Sequence, residues 1–157
     1  MQLSDAKKIE KLHGYLASHF PALQAAAIEF DNESDEYLRL RAPLAKNHND
    51  LNTAFGGSLY NLAMVACWST LYLACAEHLA KPKIVTRDVQ MRFRHPVTEP
   101  VLVARCRKPN TRQWEGFFAH YEKAGRTSIT LTSSIVTSEG TAAYFDGVFV
   151  LLEHGDK

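Results

Sequence analysis

From Leu51 to Ala76 the chain carries no charged side chain, and this one run limits what the sequence can fold into. A stretch so apolar approaches the length of a membrane-spanning helix. It opens, however, on Asn52, Thr53 and the pair Gly56-Gly57, and it contains Ser58, Asn61, Ser69 and Thr70. Counted from Leu59 to Ala76 it barely reaches spanning length, and amphipathic segments follow at once. The reading is a helix over about Gly57–Leu79, closed by Pro82. Apolar nearly all round, it needs to be wrapped by its own domain.

The flanking sequence supplies a wrapper. Ile9, Leu12, His13 and Leu16 recur near helical spacing, which predicts an N-terminal helix over about residues 4–19, ended by Pro21. Ala26, Ile28 and Phe30 alternate as a first strand, and Asp31-Asn32-Glu33-Ser34-Asp35 reads as a turn. Leu38, Leu40, Ala42 and Leu44 alternate as a second strand. After the central run, strands are expected through Val85, Val89, Met91 and Phe93, then Leu102, Ala104 and Cys106. Others are expected over Trp114–Tyr121, Ile129–Ile135 and Ala143–Leu152, punctuated by Pro109-Asn110, Gly125 and Glu139-Gly140. This order gives an α+β hotdog layout: a long central helix wrapped by a curved antiparallel sheet of five or six strands. With 157 residues, one domain over residues 1–157 is expected.

Composition excludes some classes. The formal net charge is +1, so no global field points to nucleic acid or an anionic membrane. Cys67, Cys75 and Cys106 show no CxxC spacing and read as reduced, buried thiols, and residues 1–11 lack the apolar run of a signal peptide; a cytoplasmic location is expected. Cys67 and Cys75 lie near one helix face and read as core rather than redox groups. The seven histidines are scattered, and no metal-ligand spacing, P-loop, nucleophile elbow or dinucleotide fingerprint occurs. No metal and no bound cofactor are expected.

The segment NHNDLNTAFGGSLYNLA resembles the loop and helix start of hotdog thioesterases of the phenylacetyl-CoA thioesterase type. It is more similar still to the thioesterase-like domain fused behind an acetyltransferase domain in some bacterial proteins. IVTRDVQMRFRHPV, ending in Pro96, is similar to the strand that follows the helix in those families. The resemblance carries motifs over about Ala42–Val103, and strand order alone elsewhere. It implies an acyl-CoA or acyl-carrier-protein thioester as substrate, with coenzyme A or phosphopantetheine arriving as part of it. It also implies a homodimer or dimer of dimers that closes its site between subunits. By position, Asn49 would orient the thioester or the attacking water, the Gly57 N–H would face the thioester carbonyl, and Thr86 would help hold the water. Two positions depart from the family pattern. Phe55 stands where many members have histidine, and Met64 stands where the helix carboxylate is usual. Any acetyltransferase activity would belong to the fused domain.

Thioester hydrolysis needs an activated water and stabilisation of a developing oxyanion. The first N–H groups of a helix lack internal partners, and glycines let a ligand approach them closely. Gly56 and Gly57 therefore suit an oxyanion site, with Phe55, Gly56, Ser58 and Met64 as substrate-lining candidates; the plainer alternative is tight helix–sheet packing. With Met64 unable to act as a base, His48 and Asp50 are the candidates, each equally readable as a turn residue. Thr86 is otherwise an ordinary strand threonine. Arg87, Arg92, Arg94, Arg105, Arg107, Lys108 and Arg112 read first as a solvated sheet face and second as a dock for an anionic carrier. A non-catalytic acyl-thioester binding module is the alternative function.

Overall fold

The computed structural model describes residues 3–153. Its elements run α1 (Leu3–His19), α2 (Pro21–Ala26), β1 (Glu29–Glu33), β2 (Tyr37–Pro43), a 3-10 turn (Leu44–Lys46), α3 (Gly56–Ala76), β3 (Lys83–Phe93), β4 (Val101–Arg107), α4 (Thr111–Ala124), β5 (Thr127–Thr137) and β6 (Gly140–Leu152). The strands form one sheet in the order β1-β2-β4-β5-β6-β3, antiparallel at every pair. The sheet curves around α3, as a hotdog fold requires.

The uncharged run is the core. Leu59, Leu62, Ala63, Val65, Ala66, Cys67 and Leu71 are buried against Leu38, Leu40, Ala104, Cys106, Ile135, Phe145 and Phe149. By length and composition α3 is apolar enough to cross a membrane, yet 67% of its most apolar window is buried inside the fold. The sheet satisfies that apolar surface, as a wrapped helix demands. α1 lies against it from outside: Tyr15 stacks on Tyr72 at 5.0 Å, and Phe20 meets Trp68 edge-on at 5.1 Å.

Five local expectations are corrected. Trp114–Tyr121 is not a strand but the middle of α4, because Asn110 and Gln113 form a capping box with 2.9 Å bonds in both directions. Ala26 belongs to α2, which Pro21 opens at a position where its missing N–H costs nothing. Asp31, Asn32 and Glu33 lie in β1 across a bulge, so the turn shrinks to Ser34–Glu36, tied by a Ser34 N–H to Tyr37 carbonyl bond of 2.8 Å. Leu44 leaves β2 for the 3-10 turn. The central helix starts at Gly56 and stops at Ala76, short of Leu79.

The two sheet edges differ. β1 is short and bulged. β3 is long, with Val85 and Phe93 exposed and a bulge at Thr86–Asp88 against β6.

Candidate functional site

The chain from Asn47 to Phe55 folds as a compact loop that delivers α3. Asn47 anchors it: its buried amide donates to the carbonyls of Ala26 and Pro43, both at 2.8 Å. The ends are tied by Phe55 N–H to the Asn47 carbonyl and Ala54 N–H to the Val97 carbonyl, both at 2.8 Å. Asn52 takes the left-handed conformation at φ 58° that asparagine tolerates.

Asn49 organises the loop interior. Its Oδ1 accepts from the N–H groups of Leu51 and Thr53 at 3.0 and 3.1 Å, and its Nδ2 donates to Thr53 Oγ1 at 2.9 Å. The side chain thus forms an Asx turn and spends its amide on its own loop. His48 is exposed, with Nδ1 2.9 Å from the Asn49 carbonyl. A carbonyl only accepts, so Nδ1 carries the hydrogen in the neutral ring and the Nε2 lone pair is left to take a proton. Asp50 is exposed at the loop tip beside Leu51, which is 75% exposed.

At the helix start no side chain caps α3. Ser58 and Leu59 N–H close the first bonds to the Phe55 carbonyl at 2.9 and 3.1 Å, so the Gly56 and Gly57 amides precede the first closed turn. Two exposed rings roof this end. A Cβ on Gly57 would lie 2.5 Å from Phe55 Cε1, and one on Gly56 would lie 3.5 Å from Phe93 Cζ. Close approach of these rings is thus one reason for the glycines.

Gly57, Tyr60, Asn61 and Met64 make the face of α3 that is only half-buried near its start. Met64 packs partly against the core. The amide of Asn61 makes no hydrogen bond among the described residues. Asn61 is the candidate that the sequence reading missed. Its signal was the spacing: four residues after Gly57 places it on the Gly57 face.

The structure brings Asn49, His48, Asp50, Phe55, Gly56, Gly57 and Ser58 into one loop–helix junction. It does not bring Thr86 there. Thr86 is exposed in β3, seven positions from Phe93, which is about 23 Å along an extended strand. The larger cavities lie elsewhere. One of about 470 Å³ sits between α1, α4 and the second half of α3, against Ile9, Leu73, Trp114 and Phe118. Another of about 310 Å³ lies on the outer sheet face. The helix start is instead an open apolar surface carrying Leu51, Phe55 and Phe93.

Comparison with known proteins agrees with this architecture. Residues 9–153 match the family described as "Putative thioesterase (yiiD_Cterm)". A protein of unknown function from Chlorobaculum tepidum TLS is 31% identical, with a TM-score of 0.87 over 92% of this chain and 94% of that one. A structure described as a putative thioesterase from Shewanella oneidensis is 24% identical, with a TM-score of 0.83 over 94% and 99% of the two chains. A thioesterase from Haemophilus influenzae, at 15% identity, shares the fold with a TM-score of 0.71 over 94% of this chain and 92% of that one. With nearly its whole length matched and the wrapped α3 in place, the chain belongs to the yiiD_Cterm thioesterase family of hotdog proteins.

Proposed function

We propose that this protein hydrolyses an acyl thioester carried on coenzyme A or an acyl carrier protein, at a site completed by a second copy of the chain. The observation that carries this reading is the uncapped start of α3. Two glycine amides there precede the first helical bond, under the exposed rings of Phe55 and Phe93. Those amides would hold the thioester oxygen as it gains charge. His48 Nε2, or Asp50, would take the proton of the attacking water. Asn61, on the Gly57 face, is the free amide that would orient that water, while Asn49 holds the loop in shape. Loop and helix would line the substrate through Phe55, Gly56, Ser58 and Met64.

β3 supports the dimer. It is a long edge with exposed apolar side chains, which in a lone subunit invites pairing. A two-fold antiparallel pairing centred between Val89 and Gln90 would set Thr86 of one copy opposite Phe93 of the other. That pairing would bring the second copy's Thr86 to the helix start, which Thr86 of the same chain cannot reach. The reading also includes a cytoplasmic location, in keeping with three free, buried cysteines, and an origin shared with acetyltransferase-linked domains.

The binding-module alternative is favoured by one observation: α3 contains no carboxylate, and Met64 stands at the position where the family resemblance expects one. A screen of acyl-CoA chain lengths for free thiol release decides between them. Turnover that falls in His48→Ala or Asp50→Asn supports the hydrolase. Acyl-CoA binding with no thiol released at any chain length replaces it with the module.

A further inference from the structure

The outer face of the sheet, away from α3, carries a second polar site. Strand alternation sends Leu38, Leu40, Ala104, Cys106, Ile135 and Phe145 inward to the core and their neighbours outward. Register then lines up Arg39, Arg105, Ser134, Tyr144 and Arg92 across five strands. The next row holds Arg107, Thr132 and Asp146. All of these but Arg39, together with Tyr37, border the cavity of about 310 Å³.

Its charge is unbalanced. Arg92, Arg105 and Arg107 face one carboxylate, Asp146, which lies 3.4 Å from Arg92. Arg105 sits over the Tyr37 ring at 4.9 Å. Among the described residues, neither Arg105 nor Arg107 has a carboxylate within ion-pair distance. The nearby acids are spent: Asp31 lies 3.4 Å from Arg39 and 3.8 Å from Arg41, and Glu29 lies 3.4 Å from Arg41. Arg39 and Arg105 are direct cross-strand partners, and like charges so placed oppose folding. Asp31 offsets Arg39, so the charge left without a carboxylate is that of Arg105 and Arg107, and an anion would relieve it.

From this geometry we infer that the outer face binds a phosphorylated nucleotide. Arginine forks match phosphate oxygens two at a time. Thr132 and Ser134 add hydroxyl donors, and Tyr37 and Tyr144, whose rings carry Arg105 at 4.9 Å and Arg94 at 5.7 Å, border the same cavity as aromatic walls. The cavity has the size of a small-ligand site. The nucleotide has two possible sources: a free nucleoside diphosphate, or the nucleotide end of coenzyme A. Arg92 and Phe93 are consecutive at the end of β3, so the cavity and the α3 start lie on opposite sides of one strand end. The second source rests on the thioesterase reading; the first does not.

The test is calorimetric titration of the intact protein with ADP and with coenzyme A. Arg105→Gln/Arg107→Gln is the variant, and circular dichroism checks its fold. Arg105→Lys/Arg107→Lys keeps the charge and removes the forks. Binding of ADP that weakens about tenfold or more in the glutamine variant, and less in the lysine variant, is expected. If ADP also competes with acyl-CoA, and the glutamine variant raises KM for acyl-CoA but not for the same acyl group on N-acetylcysteamine, the source is coenzyme A. If ADP binds without affecting hydrolysis, the source is a free nucleotide. No ADP binding at millimolar concentration, or binding unchanged in the folded glutamine variant, overturns the site. Because the primary readout is binding, that failure is distinct from failure of the hydrolase proposal.

Discussion

At the scale of single residues, stability and chemistry separate within the junction before α3. His48 and Asp50 are exposed and hold little together. His48→Ala and Asp50→Asn should therefore leave the melting temperature nearly unchanged, while loss of the general base lowers hydrolysis by about a hundredfold or more. Initial rates on one good acyl-CoA substrate check this; full activity in both variants removes the loop base. Asn49 behaves differently, since its side chain makes three hydrogen bonds in the loop. Asn49→Ala should lower both activity and stability, by about 1 kcal/mol for each net bond lost, whereas Asn61→Ala should lower activity with little change in melting. A stable, inactive Asn49→Ala would contradict a loop-holding role. The sequence singled out Asn49 and passed over Asn61, because spacing shows which face a residue occupies but not whether its amide is already used.

Among the elements, α4 shows where reading by period fails. Trp114, Phe117, Phe118 and Tyr121 suit either a strand rich in aromatics or a helix with one apolar face. The deciding signal was the cap: Asn110 and Gln113 satisfy each other's backbone N–H, and Gly125 ends the helix at φ 69°. Asn110→Ala should destabilise the protein by about 1 kcal/mol, or roughly 2–4 °C for a chain this size; an unchanged melting curve would deny the cap its role. α3 makes a separate prediction through Cys75. Burial pushes this thiol from its ordinary value of 9.0 up to about 12. Above about pH 9 the unfolded chain gives up the proton while the folded chain retains it. The stability contribution is thus complete below that pH and lost as pH rises through about 12. The slope is about 1.4 kcal/mol per pH unit for one group. Urea midpoints compared between about pH 8 and about pH 10 should fall in the parent more than in Cys75→Ala.

For the molecule as a whole, assembly is the central prediction. The β3 edge and the rings over α3 are exposed together in the single chain, and burying them against a second copy would both pair the edge and enclose the thioester. Sedimentation should find a dimer or larger at micromolar concentration. Val85→Lys/Phe93→Lys should shift it to monomer and abolish hydrolysis together. An active monomer would place the whole site within one chain.

The sequence by itself determined the centre of this fold. A run without charges, bounded by Asp50 and Glu77, can satisfy its surface only by burial, and the alternation on either side supplied the sheet that buries it. It also marked the loop and glycine pair as the candidate site, because backbone close approach leaves a trace in residue type. Only the tertiary structure decided which strands lie at the edges, that Thr86 sits far from Gly57 in its own chain, and that arginines from two strands share one outer cavity. Sheet order brings together residues distant along the chain, and local periodicity carries no information about which strand will be whose neighbour.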